Sequence, residues 1–102
     1  MYLLQILLPL TSNDGIAFPP APYAQVRFEL TERYGGLTVY SQSPAVGLWE
    51  EDGNQTQHDD IVIFEVMCEV LDEKWWKGFR LQLQEVFRQR AIVIRAHPIE
   101  LL

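Results

Sequence analysis

Residues 60–71 read DIVIFEVMCEVL. Successive side chains of a strand point to opposite faces, so this stretch separates into two sets. Val62, Phe64, Val66, Cys68 and Val70 share one side and are wholly apolar. Ile61, Ile63, Glu65, Met67 and Glu69 share the other, where carboxylates interrupt the apolar run. One face of such a strand belongs in a core. The other is too apolar for ordinary solvent and too charged for a core.

On its N-terminal side, EDGNQTQHDD (51–60) is a polar turn whose Asp52-Gly53 is a hairpin signal. Before it, LTVYS (37–41) alternates, with Leu37 and Val39 on one face and Thr38 and Tyr40 on the other. Residues 41–47 interrupt that strand at Pro44, and VGLWEE (46–51) resumes it. On the C-terminal side, Asp72 is a helix cap. The spacing predicts a helix over 73–90, with an apolar stripe of Trp75 or Trp76, Phe79, Leu83, Val86 and Phe87. Arg88 and Arg90 would complement its negative end. AIVIRAHPIELL (91–102) is a last strand that Pro98 weakens.

The N-terminal half has the same rhythm. Residues 2–10 are dense in Leu and Ile and read as a central strand. Residues 11–22 form a loop with Asn13-Asp14-Gly15 turn chemistry, and Pro22 suits a first helical turn. Tyr23, Val26, Leu30 and Tyr34 mark one face of a helix that Gly35-Gly36 terminates, since the left-handed conformation past a helix end costs glycine little.

The order strand, helix, strand, strand, helix, strand is the α+β, ferredoxin-like β-α-β-β-α-β arrangement: a four-stranded antiparallel sheet in order 4-1-3-2 with two helices on one face. The two most apolar strands take the centre, and the prolines Pro44 and Pro98 go to the edges. The helices would cover Phe64, Val66, Cys68, Ile92 and Ile94. The opposite face would show Thr38, Tyr40, Ile63, Glu65, Met67, Val93, Arg95 and His97, with strand one adding either Leu3, Gln5 and Leu7 or the alternate set. No element remains to cover it. A monomer rarely leaves such a patch open, so either two copies pack sheet to sheet or a loop closes a pocket there. The long 41–59 excursion, carrying Trp49, is the segment able to fold over that face or reach a partner subunit.

Composition agrees with a single domain spanning 1–102: 48% hydrophobic and 22% charged residues. A formal net charge of −6 and the lack of a basic stripe argue against nucleic acid as a partner. The start, MYLLQILLPL, is too short for a membrane span and has no positive leader region, which reads as the first strand of a cytoplasmic protein with no membrane partner. The one cysteine, Cys68, reads as a small core hydrophobe.

Chemistry-bearing candidates are few. Glu65 and Arg95 can share a face, as an interface ion pair or as a polar centre in which Arg95 anchors an anion and Glu65 or His97 serves as base. His58-Asp59-Asp60 alternate across a strand and read as a solvated turn rather than metal ligands. Trp75-Trp76 read as core plus a rim aromatic. Gly35-Gly36 lacks the third glycine and preceding strand of a dinucleotide fingerprint. Tyr40 and Trp49 are aromatics that need a surface to rest on, be it the sheet, a ligand or a partner.

RYGGLTVY (33–40), GLW (47–49), DDIVIFEV (59–66) and FRQRAIVI (87–94) together resemble small bacterial α+β proteins of unknown function, over most of residues 26–95. The resemblance implies a ferredoxin-like fold and dimers, and no activity. At fold level it is similar to dimeric α+β barrel proteins, some of which are cofactor-free oxygenases or isomerases. The expectation is a homodimer formed through the open sheet face, with a binding or assembly role. The alternative is a small enzyme or ligand sensor without cofactor or metal, whose pocket of Tyr40, Trp49, Glu65, Arg95 and His97 handles a small organic acid or carbonyl compound.

Overall fold

The computed structural model describes the backbone of residues 1–51 and 55–102, and the side chains of 1–40 and 60–102. Its elements follow the expected order: β1 (Tyr2–Pro9), α1 (Pro20–Tyr34), β2 (Thr38–Glu51), β3 (Gln55–Cys68), α2 (Glu73–Val86) and β4 (Val93–Pro98). They build one antiparallel sheet in order β2-β3-β1-β4, which is 4-1-3-2 read from the other edge. The fold is α+β and ferredoxin-like, with both helices on the same side of the sheet.

That side is the core. Leu4, Ile6 and Leu8 of β1 and Val62, Phe64, Val66 and Cys68 of β3 are buried against Val26 and Leu30 of α1 and Trp76, Phe79 and Leu83 of α2. Each large side chain removed from water in this way contributes about 2 kcal/mol. Both helices show why they stop and start where they do. Pro20 opens α1, where its missing N–H costs nothing, and Gly35 closes it at φ 77°, its N–H reaching Thr31 O at 2.8 Å. Asp72 caps α2 by accepting from the Trp75 N–H at 3.1 Å.

Some boundaries differ from the sequence reading. α2 ends at Val86, not 90; Phe87 is buried beyond the last turn, and Arg88 turns away at φ 51°. No basic residue occupies the last turn, so Arg88 and Arg90 do not serve the helix end as expected. Val70 is 79% exposed, because the chain leaves the sheet after Cys68.

The backbone of 41–51 and 55–59 is also more regular than a covering loop. β2 passes from Tyr40, paired with Ile63, to Ala45, paired with Ile61, so that an irregularity containing Pro44 sits in the edge strand. Beyond it the backbones of 45–51 and 55–61 pair as a two-stranded ribbon, with Trp49 opposite Gln57. β1 pairs with β3 only over Ile61–Cys68, so the ribbon extends past the four-stranded part of the sheet. The side chains of Trp49, His58 and Asp59, and what the Trp49 ring touches, lie outside the described residues.

Candidate functional site

The uncovered face is built by the alternate residues of the same strands. The pairing of β1 settles which of its two sets lies there: Leu4, Ile6 and Leu8 are buried, so Leu3, Gln5 and Leu7 face outward. The register then lays the face out in rows. Val93, Leu7, Ile63 and Tyr40 form one. Arg95, Gln5, Glu65 and Thr38 form the next. His97, Leu3 and Met67 form the third.

Glu65 is the centre of this surface. It is half-buried, and both carboxylate oxygens are engaged: Gln5 Nε2 donates to Oε1 at 2.6 Å, and Tyr40 Oη donates to Oε2 at 3.2 Å. The bond to the carboxylate, and after it the carboxylate's negative charge, push the Tyr40 phenol above its ordinary value, because both favour keeping its proton. Glu65 also lines a shallow hollow of about 230 Å³ with Leu3, Tyr34, Leu37, Thr38 and Met67.

The structure brings Tyr40, Glu65, Arg95 and His97 onto one face. It does not bring Glu65 and Arg95 into an ion pair: Gln5 stands between them in the row, and the ion pair found among the described residues is Arg33–Asp72, on the helical side. Arg95 and His97 stay exposed on the β4 edge. Around these polar groups the face is apolar, with Tyr40, Met67 and Val93 each about half exposed. Gln5, one of two alternatives for this face in the sequence and not among its candidate site residues, joins the site. It is the only amide in YLLQILL, and the burial of Leu4, Ile6 and Leu8 puts it in the outward set of β1.

A second concavity, about 850 Å³, runs between the helices on the other side of the molecule. Phe28, Trp75 and Phe79 floor it. Arg33 stacks over the Trp75 ring at 4.1 Å while bridging to Asp72 at 3.5 Å, and Phe79 lies parallel to Trp75 at 4.9 Å. The one cation stacked there is thus already engaged. Trp76 is buried and Trp75 forms the rim, as the sequence implied. Cys68 is buried, and burial pushes its thiol up and away from the thiolate form. Among the described residues no group of acidic, histidine and cysteine side chains has the arrangement to hold a metal ion, and no helix is long and apolar enough to cross a membrane.

No protein-family profile matches the chain, and no curated protein does. Solved structures do resemble it. A phage SAM lyase in complex with S-methyl-5'-thioadenosine superposes with a TM-score of 0.62 at 15% identity, over 94% of this chain and 79% of that one. The same kind of enzyme in its apo state gives 0.60 at 14% identity, over 94% and 78%. The likeness establishes the fold. The small α+β architecture is shared over nearly the whole chain.

Proposed function

We propose that this protein is a small enzyme that binds a sulfonium nucleoside of the S-adenosylmethionine class on the open face of its sheet and cleaves it as a lyase. The observation that carries this reading is the state of Glu65. Its carboxylate is half-buried in an apolar face and held by two neutral donors, with no cation bonded to it among the described residues. A fixed cation on a ligand is the natural partner for such a group, since a carboxylate in partly apolar surroundings gains most from a charge that arrives with little hydration of its own. Tyr40, whose hydroxyl bonds Glu65, brings an aromatic ring to the same site, where a cation can be drawn to it. The shared fold of a SAM lyase that holds S-methyl-5'-thioadenosine supports the ligand class.

The chemistry needs neither metal nor redox partner. Glu65, as base, takes a proton from the carbon β to the sulfonium; the C–H pair forms a double bond; the C–S pair returns to sulfur, and the neutral thioether methylthioadenosine leaves. A second copy of the chain covers the face, because among the described residues no element does and Met67 and Val93 stand half exposed there.

The test is chromatographic. Purified protein is incubated with S-adenosylmethionine, and methylthioadenosine is quantified against time. Release above the spontaneous rate, reduced about a hundredfold or more by Glu65→Gln, is expected. Spontaneous-rate release from wild-type protein, with no binding by calorimetry, refutes the reading. Binding without release retains the site and reduces the protein to a sensor of the same ligand.

A further inference from the structure

The charges of the open face are arranged asymmetrically about β1. Arg95 on β4 and Glu65 on β3 flank Gln5 in a single row, so they lie two strand spacings apart, roughly 10 Å. That is too far for a bond within one chain, and Gln5 occupies the gap. The rows on either side are apolar near β1: Leu7 between Val93 and Ile63, and Leu3 between His97 and Met67. A two-fold axis lying between two facing sheets, parallel to β1 and above Gln5, exchanges the two flanks of every row. It sets Gln5 over Gln5 of the partner subunit, Leu3 and Leu7 over their own counterparts, and Val93 over Ile63 of the partner subunit. The same operation sets Arg95 over Glu65 of the partner subunit. Facing sheets pack about 10 Å apart, a gap that an arginine and a glutamate side chain together span. The twist of aligned sheets displaces groups little when they are one strand from the axis, as these two are.

We propose that two copies of the chain pack through their open sheet faces about this axis, and that each half of the assembly joins Glu65 of one copy to Arg95 of the other. The occupant of the face is a second copy because its charges are self-complementary under that one operation: the cation of the central row, unpaired among the described residues, meets the carboxylate of that row. Building on the sulfonium reading above, the shared pair defines the ligand further. On binding, that pair opens around the ligand: Glu65 turns to the sulfonium, and the partner's Arg95 takes the carboxylate of the same amino-acid moiety, a bidentate match for a guanidinium. The substrate class is then a zwitterionic sulfonium nucleoside. The neutral thioether, which lacks both charges, binds more weakly and leaves.

Two mixing experiments separate the parts. The first needs no ligand. Wild-type protein is expected to sediment as a dimer. Glu65→Arg alone and Arg95→Glu alone each set like charges across the axis and weaken self-association at least about thirtyfold. An equimolar mixture of the two restores opposite charges at both positions and is expected to sediment as a dimer again. Monomeric wild type, single variants that dimerise normally, or a mixture that stays monomeric each overturn the proposal; circular dichroism of each variant excludes misfolding as the cause.

The second reads S-adenosylmethionine binding by calorimetry. Glu65→Gln and Arg95→Gln alone each lower affinity at least about tenfold. Their mixture is expected to recover one wild-type site in each mixed dimer, because one half of it then holds an intact Glu65 and an intact Arg95. No recovery on mixing means both groups act within one chain and overturns the shared site. Restored assembly in the first experiment with no S-adenosylmethionine binding by any protein upholds the cross-subunit pair and refutes the ligand class alone.

Discussion

The two faces of the sheet are made by neighbouring residues of the same strands, yet they behave oppositely. On the covered face, Leu4, Ile6, Leu8, Val62, Phe64 and Val66 are all buried, and none carries a polar side-chain atom. On the open face, Leu3, Gln5, Leu7, Ile63 and Glu65 are half-buried, Met67, Arg95 and His97 are exposed, and a carboxylate gathers two hydrogen bonds. The period-2 alternation of a strand lets one segment give an apolar set to the core with its even positions and a mixed polar and apolar set to the open face with its odd ones. The covered face is completed by the chain's own helices. The open face is not completed by anything the single chain supplies among the described residues.

This contrast can be broken by mutation. On β3, Phe64 and Met67 sit three residues apart on opposite faces. Phe64→Ala leaves a cavity in the core and is expected to destabilise by about 3–5 kcal/mol in urea unfolding. Met67→Ala is expected to cost less than about 0.5 kcal/mol at concentrations where the chain is monomeric. Equal costs would mean that the faces are not distinct. A smaller effect tests how the covered side is closed: Gly35→Ala forces a Cβ into the left-handed conformation at φ 77° and is expected to cost about 1–2 kcal/mol, although a Cβ there would meet no neighbour within 4 Å. The loss is therefore conformational, and Gly36→Ala, at an ordinary φ, is expected to be nearly neutral.

The smallest effect concerns the open face. The Tyr40 phenol is raised above the ordinary 10.0 by its bond to Glu65. A raised value in the folded state means the Tyr40–Glu65 bond is fully present below pH 10 and is lost as pH rises through the raised value. Ultraviolet titration of tyrosinate in the folded protein is expected to show one phenol moving back toward 10.0 in Glu65→Gln. Tyr23 and Tyr34, which burial raises, are expected to stay where they are. A titration curve unchanged by the substitution would remove Glu65 as Tyr40's partner.

The sequence carried most of the fold because the signals were local and redundant. The two sets of residues in 60–71 declared a two-faced strand, and Gly35 stopped α1 where the spacing of Tyr23, Val26, Leu30 and Tyr34 ended. It misled where a pattern outlives its element. Val70 continues the alternation of β3 after the chain has left the sheet, and Phe87 continues the stripe of α2 one residue past its last turn. The site was legible only in part. Tyr40, Glu65, Arg95 and His97 share a face, as their parity implied. Their spacing across the sheet depends on register, which long-range pairing sets. Hence the sequence allowed Gln5 on the open face but not its place in one row between Glu65 and Arg95, nor the meeting of Arg33 with Asp72, 39 residues further along the chain.

The most direct test maps S-adenosylmethionine onto the two sides of the molecule by backbone amide NMR, recorded immediately after mixing. Perturbations concentrated at Gln5, Tyr40 and Glu65 and along β1 and β3, abolished by Glu65→Gln, are expected. Perturbations centred on Trp75 and Phe79 in the interhelical groove, or none at saturating ligand, would contradict the assignment of the open sheet face as the site.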